Sequence, residues 1–259
     1  MKYVIDVSKY QGNIDWPAVA EALKKANNGE QGGAILRVGY SHYEGGLTVD
    51  EKFQRNMEGC EAAGIPFGAY VYAYDKSTKA AAASAQFVAD KLKGHKLGYP
   101  VYYDIEYEPF YLGSTKKVNT DIVVSAVETF EANNLYAGVY ASRDFFLSHL
   151  DLKRLLPYTL WEAAYVSSDS THIANDMWQY SSSNPLRIPG FGTALDTNVT
   201  YKDFPAIMQA TGLNGYGVSN HHSSIWDDYI TFQITATGED RKPLKEVCEK
   251  YQLIVKAVE

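Results

Sequence analysis

The rhythm of its secondary-structure signals constrains this chain most. Short apolar strand patterns begin near Tyr3, Ala34, Phe67, Val101 and Ala137, and each gives way to a stretch of helical periodicity. The starts lie roughly 33 residues apart, the length of a strand, a helix and two connections. This βαβα order argues for a parallel sheet clothed by helices, because parallel neighbours are joined through a long crossover. Asp15-Trp16-Pro17 offers an N-cap with proline in the first turn. Phe53, Met57 and Cys60 share one helical face, as do Ile122, Ala126 and Phe130. After Arg143 the rhythm shortens, with strand runs at Thr159 to Ala164, Met177 to Tyr180 and Ala194 to Val199. Eight strands, the later ones poorly covered, predict an α/β fold: a modified (β/α)8, TIM-like barrel with missing or short helices in its C-terminal third. A doubly wound open sheet is the alternative topology.

With 259 residues, the chain can close one well-filled core but is short for two full enzyme domains. Residues 1–210 read as the barrel. The turn-rich run Thr211-Gly212-Leu213-Asn214-Gly215-Tyr216-Gly217 reads as a linker. Residues 211–259 then form a small C-terminal βα appendage of unknown role: a strand at Tyr229 to Ala236, then a helix after Asp240-Arg241-Lys242-Pro243. Leu244, Val247, Cys248, Tyr251 and Val255 make an apolar stripe on that helix, which is expected to pack on the barrel or on a second copy, giving a monomer or a homodimer through the extension.

Several function classes fall away. The net charge of −7 offers no cationic surface for nucleic acid. No stretch reaches the length and apolarity of a membrane span, and MKYVIDVSKYQG lacks the charged and apolar regions of a signal peptide. Cys60 and Cys248 match neither a metal site nor a disulfide framework and read as reduced core residues. No histidine has metal-ligand spacing, His221-His222 reads as a solvated loop pair, and no phosphate loop or nucleophile elbow is found. Neither a metal nor an organic cofactor is expected.

Chemistry in such a barrel collects at the C-terminal ends of its strands. Asp6 ends the first strand run, Asp104 and Glu106 end the run from Val101, and Asp196 lies in the last run. Alternation along a strand points Asp104 and Glu106 into the same mouth, with Ile105 turned into the packing behind. Two such close acids cannot both ionise freely, so one keeps a proton while the other stays charged, the division of labour in glycoside hydrolysis. A strand-end salt-bridge cluster with Arg37 is the structural alternative.

The 21 tyrosines agree with a sugar substrate, whose C–H faces stack on aromatic rings. Tyr70, Tyr72 and Tyr74 alternate along the third long strand. Tyr140, Trp161 and Trp178-Gln179-Tyr180 lie on later ones. Arg37, Tyr70, Tyr72, Tyr140, Trp161, Trp178 and Gln179 are the candidate substrate contacts.

These residues resemble glycoside hydrolase family 25, the Chalaropsis-type lysozymes, across residues 1 to 210. The resemblance rests on Ile5-Asp6-Val7-Ser8 with Gln11-Gly12 and Ile14-Asp15-Trp16, on Tyr99-Pro100-Val101-Tyr102-Tyr103-Asp104-Ile105-Glu106, and on Trp178-Gln179-Tyr180 with Leu195-Asp196-Thr197-Asn198. It implies an N-acetylmuramidase that cuts the β-1,4 bond between N-acetylmuramic acid and N-acetylglucosamine in peptidoglycan. Glu106 would be the acid/base, with Asp104, Asp6 and Asp196 completing the cleft. Retention of configuration with help from the substrate's N-acetyl group is implied too, with Asp104 orienting that amide. The implied place of action is extracellular or in the bacterial cell wall, as a phage endolysin released by a holin, an autolysin or a mature secreted form. Val71 stands where the family frequently has His, and Arg37 where Lys is common. A catalytically inactive glycan-binding barrel and a chitinase-like N-acetylglucosaminide hydrolase are the competing functions.

Overall fold

The computed structural model describes residues 1–167 and 173–217. The expected strand, helix and apolar stripe of the C-terminal appendage, with Cys248, lie outside them.

The first two thirds follow the βα rhythm. Strands β1 (Lys2–Val7), β2 (Gly33–Ser41), β4 (Phe67–Tyr72), β5 (Val101–Asp104) and β6 (Ala137–Ser142) alternate with helices α1 (Trp16–Ala26), α2 (Phe53–Ala63), α3 (Thr78–Leu92) and α5 (Lys116–Ala132). A short strand β3 (Leu47–Val49) folds back on the end of β2, and a short helix α4 (Pro109–Gly113) follows β5. Local chemistry sets the helix starts: the side chains of Asp15, Ser77 and Thr115 each accept a backbone N–H three residues on. As expected, Phe53, Met57 and Cys60 are buried on one face of α2, and Ile122, Ala126 and Phe130 on one face of α5.

The last third thins out. Helices α6 (Arg143–His149) and α7 (Leu152–Leu155) are short, and among the described residues none separates β7 (Thr159–Ala163), β8 (Met177–Ser181) and β9 (Asp196–Thr200). Helix α8 (Phe204–Thr211) follows β9. Eight strands close in the order β1-β2-β4-β5-β6-β7-β8-β9, with β9 returning to β1. This is the modified barrel, with one correction to a uniformly parallel sheet: β9 runs antiparallel to both its neighbours.

That reversal has two structural consequences. Asp196 opens β9 instead of ending it, and so arrives at the same mouth as the end of β1, directly opposite Asp6. The far end of β9 delivers α8 to the floor, where Phe204 packs against Tyr99 and Tyr136 with ring centroids 5.8 and 6.1 Å apart. The turn-rich run after α8 is tied to the same floor. Buried Asn214 accepts from Tyr136 N at 2.7 Å and donates to Tyr99 O at 2.8 Å and Leu97 O at 3.3 Å.

Alternation divides the barrel into two apolar clusters. Ile5, Leu36, Val71, Tyr103 and Val139 face the helices, whereas Val4, Ile35, Tyr102, Tyr140, Trp161 and Met177 fill the interior. The interior rings need room. A Cβ on Gly138 would lie 2.5 Å from the Tyr102 ring, so only glycine fits there. Above this aromatic layer, the inward positions turn acidic.

Candidate active site

Each acid reaches the mouth by strand alternation. Asp6 follows inward Val4, and Asp104 follows inward Tyr102, while Ile105 is fully buried behind in the outer cluster. Glu106 lies two residues beyond Asp104, half-buried, and the two carboxyl groups share a hydrogen bond. Asp196 enters from β9. The structure thus brings all four sequence-selected acids into mutual electrostatic reach.

Asp6 is held by amides. Its Oδ2 accepts from Asn198 Nδ2 at 2.7 Å and from Gln179 Nε2 at 3.1 Å. Trp161 donates its indole N–H to Asn198 Oδ1 at 2.7 Å, and an indole can only donate, so the Asn198 amide is turned with its NH2 towards Asp6. Gln179 Oε1 likewise accepts from the hydroxyls of Tyr140 and Tyr165, each at 3.0 Å, leaving its NH2 for Asp6. Burial and the Asp196 charge nevertheless push the Asp6 carboxyl up to about 8. The amide donors pull the other way without winning.

Asp104 has a different environment. Only 3% of its surface is exposed, and its Oδ1 has no hydrogen-bond partner among the described residues. Burial, then the charges of Glu106 and Asp6, push its carboxyl well above the ordinary range, with Arg37 acting weakly against them. Glu106 is raised as well, by burial, although its hydrogen bond with Asp104 opposes this. Burial also raises Asp196. Both carboxyl groups of the pair are thus pushed up together, and one proton is shared across their hydrogen bond.

A buried network behind β5 secures this segment. The hydroxyl of Tyr103 donates to Asp75 Oδ2 at 2.8 Å, that of Ser84 to Asp75 Oδ1 at 2.7 Å, and that of Tyr111 to the Asp75 carbonyl at 2.8 Å. Tyr103 precedes Asp104, and Tyr111 lies on α4 just beyond Glu106, so both flanks of the acid pair are anchored to one residue.

The candidate sugar contacts separate into groups. Gln179 and Tyr140 touch the acid cluster through the hydrogen bonds above. Tyr70 points inward, its ring edge-on to Trp161 at 6.1 Å. Tyr72 stands at the rim and donates to Glu108 Oε1 at 2.9 Å. Arg37 pairs with buried Asp50 through Nε at 2.8 Å and Nη2 at 2.7 Å, so its salt-bridge partner is not one of the four acids. Trp161 is fully buried beneath the site and orients Asn198. Trp178 takes the opposite face of β8 from Gln179, stacks near Tyr180 and donates to Ala164 O, away from the acids. The sequence pattern does not single out Asn198 or Tyr165. The signal for Asn198 was its place two residues after Asp196 on the same strand face.

No group of metal-binding side chains is found among the described residues, nor any helix long and apolar enough to cross a membrane.

Comparison with known proteins converges on one family. Residues 5–190 match the glycosyl hydrolases family 25. No curated protein matches. Among solved structures, the modular autolysin LytC from Streptococcus pneumoniae, in complex with a synthetic peptidoglycan ligand, is similar at 26% identity and a TM-score of 0.65, over 77% of this chain and 46% of that one. The chain thus spans less than half the length of LytC. The bacterial lysozyme from Streptomyces coelicolor is similar at 20% identity and a TM-score of 0.66, over 83% of this chain and 98% of that one. The catalytic domain of endolysin ply40 from bacteriophage P40 of Listeria monocytogenes gives 24% and 0.64, over 81% and 97%.

Proposed function

Because the chain belongs to glycosyl hydrolases family 25, we propose that it hydrolyses the β-1,4 bond between N-acetylmuramic acid and N-acetylglucosamine in bacterial peptidoglycan. The observation that carries this reading is the Asp104–Glu106 pair: two hydrogen-bonded carboxyl groups at the barrel mouth, one with a buried oxygen left without a partner. A buried acceptor is costly to leave unsatisfied, so it favours a ligand that brings a donor. The N–H of a sugar's acetamido group is such a donor. The peptidoglycan ligand of LytC and the lysozyme and endolysin neighbours support the same substrate class.

The chemistry follows from moving one proton. An amide N–H donated to Asp104 stabilises that residue's charged form, so the shared proton passes to Glu106. Glu106 then donates it to the leaving glycosidic oxygen as general acid. Asp104, now a carboxylate, holds the acetamido group with its carbonyl oxygen turned to attack the anomeric carbon, and the configuration is retained after water opens the ring so formed. Glu106, deprotonated by the first step, takes the proton from that water. With Asp6 keeping its proton, Asp196 supplies the negative charge on the opposite wall, which favours the oxocarbenium-like transition state. We assign the catalytic barrel to residues 1–210 together with the run to Gly217 fastened to its floor, the extension to the residues beyond, and the place of action to the bacterial cell wall.

Mass spectrometry of muropeptides released from purified walls tests this. The expected products end in a reducing N-acetylmuramic acid. Products ending in reducing N-acetylglucosamine, or cleavage of chitooligosaccharides without wall lysis, would replace the muramidase with a chitinase-like enzyme. Binding without any cleavage would leave an inactive glycan-binding barrel.

A further inference from the structure

A band of aromatic rings leads away from the acids along one side of the mouth. Residues 33–36 of β2 pair with β1, but residues 39–41 have left it and pair with β3, so that the strand continues as a hairpin. Gly39 permits this, since a Cβ there would lie 2.1 Å from the Thr48 carbonyl oxygen. The ring of Tyr72 lies 5.1 Å from that of Tyr74, which lies 6.1 Å from Tyr40 and 6.3 Å from Tyr43. Tyr40 is 38% exposed and Tyr43, in the hairpin turn, 53%.

Both ends of the band carry chemistry. At the near end, Tyr72 sits in the field of Glu106 and Asp104, whose charges help to keep its hydroxyl protonated. At the far end, the Lys76 ammonium stands 3.5 Å from the centroid of the Tyr43 ring and pairs with no carboxylate among the described residues. The band is braced in place. Tyr74 N donates to Ser41 Oγ at 2.7 Å, and Lys76 N donates to Tyr43 O at 3.0 Å. Contiguous rings beside a polar cleft, the outer two exposed and the inner two half-buried, are what a pyranose needs, stacking on its C–H faces while its hydroxyls stay wet.

Resting on the reading of the acids as a peptidoglycan-cleaving site, we propose that Tyr74, Tyr40 and Tyr43 form a subsite for a sugar of the glycan strand beyond those at the scissile bond, and that Lys76 binds a carboxylate of the peptide stem carried there. The occupant is set by continuity with the acids at one end and by the unpaired cation at the other. A neutral chitin-like strand supplies the sugar faces but no carboxylate, so Lys76 makes the subsite selective for stem-bearing glycan.

The test digests two substrates side by side: glycan strands bearing their peptide stems, and the same strands stripped of peptide by an amidase. The double variant Tyr40→Ala, Tyr43→Ala is expected to raise KM about tenfold on both, with kcat changed less than about twofold. Lys76→Gln is expected to raise KM several-fold on stem-bearing strands alone. Thermal melting confirms that each variant is folded, and Tyr43→Phe, which keeps the ring, should restore KM in the Tyr40 wild-type background. An unchanged KM in the double variant, or an equal effect of Lys76→Gln on both substrates, overturns the proposal while wild-type cleavage still supports the muramidase. Failure of the wild type to cleave either strand defeats the muramidase reading, and this subsite with it.

Discussion

Asp6 and Asp104 are buried to nearly the same degree at the mouth of one barrel, but their surroundings differ. Asp6 receives two amide donors on a single oxygen, and both amides are themselves oriented by aromatic hydrogen-bond donors from the layer below. Asp104 shares a bond with Glu106, and its buried Oδ1 receives no N–H or O–H donor from the described residues. The first is a finished arrangement, the second an open one. Comparison of the two shows how one fold can satisfy one carboxyl group from within and leave another short of donors: the difference lies in which hydrogen bonds the protein itself has already supplied.

Substitution should expose that difference, most strongly at the open pair. Glu106→Gln removes the acid and is expected to lower kcat on purified walls by about a thousandfold while KM changes little. Asp104→Asn should cost about a hundredfold, because an amide cannot accept at the free oxygen and also exchange the proton with Glu106. Near-normal turnover in either folded variant would remove the pair from the chemistry.

At the capped acid the expected loss of turnover is smaller, about tenfold for Asp6→Asn, and the larger effect is on stability. Burial and the Asp196 charge push the Asp6 carboxyl up to about 8 in the folded chain from an ordinary 3.8. Between those values the folded chain keeps a proton that the unfolded chain has released, so stability falls as pH rises from about 4 to 8. Asp6→Asn keeps the place of Oδ2 as a carbonyl acceptor and removes the charge, and should flatten that part of the slope in denaturant titrations across the range. A slope identical to the wild type would mean that Asp6 is ionised throughout.

Much of this was legible in the residues and some was not. All eight barrel strands and the D-x-E pair follow from strand patterning, alternation and strand-end position, and Gln179 enters with its aromatic neighbours Trp178 and Tyr180. The direction of β9 does not, since alternating inward and outward residues read the same in either sense; it took the pairing of Asp6 with Asp196 to reveal it. Trp161 and Trp178 illustrate a second limit. An aromatic ring on a barrel strand suits a cleft, a core or an outer wall equally, and only neighbouring side chains assign it. The run around Asn214 has a linker's composition, yet one buried amide fastens it to three backbone groups of the floor. Asn214→Ala leaves those groups unpaired and should cost about 2 to 3 kcal/mol in urea unfolding, with wall lysis at permissive temperature within twofold of wild type. Equal stability would show that the floor does without it.

The central claim is that Asp104 serves the substrate's own acetamido group. The most direct measurement compares kcat/KM on matched glycan strands that carry, or lack, the N-acetyl group on the sugar whose anomeric carbon is attacked. The account predicts a loss of at least about a hundredfold without the acetyl group in the wild type, and little further loss when Asp104→Asn meets the deacetylated strand. Equal cleavage of both strands by the wild type would contradict it.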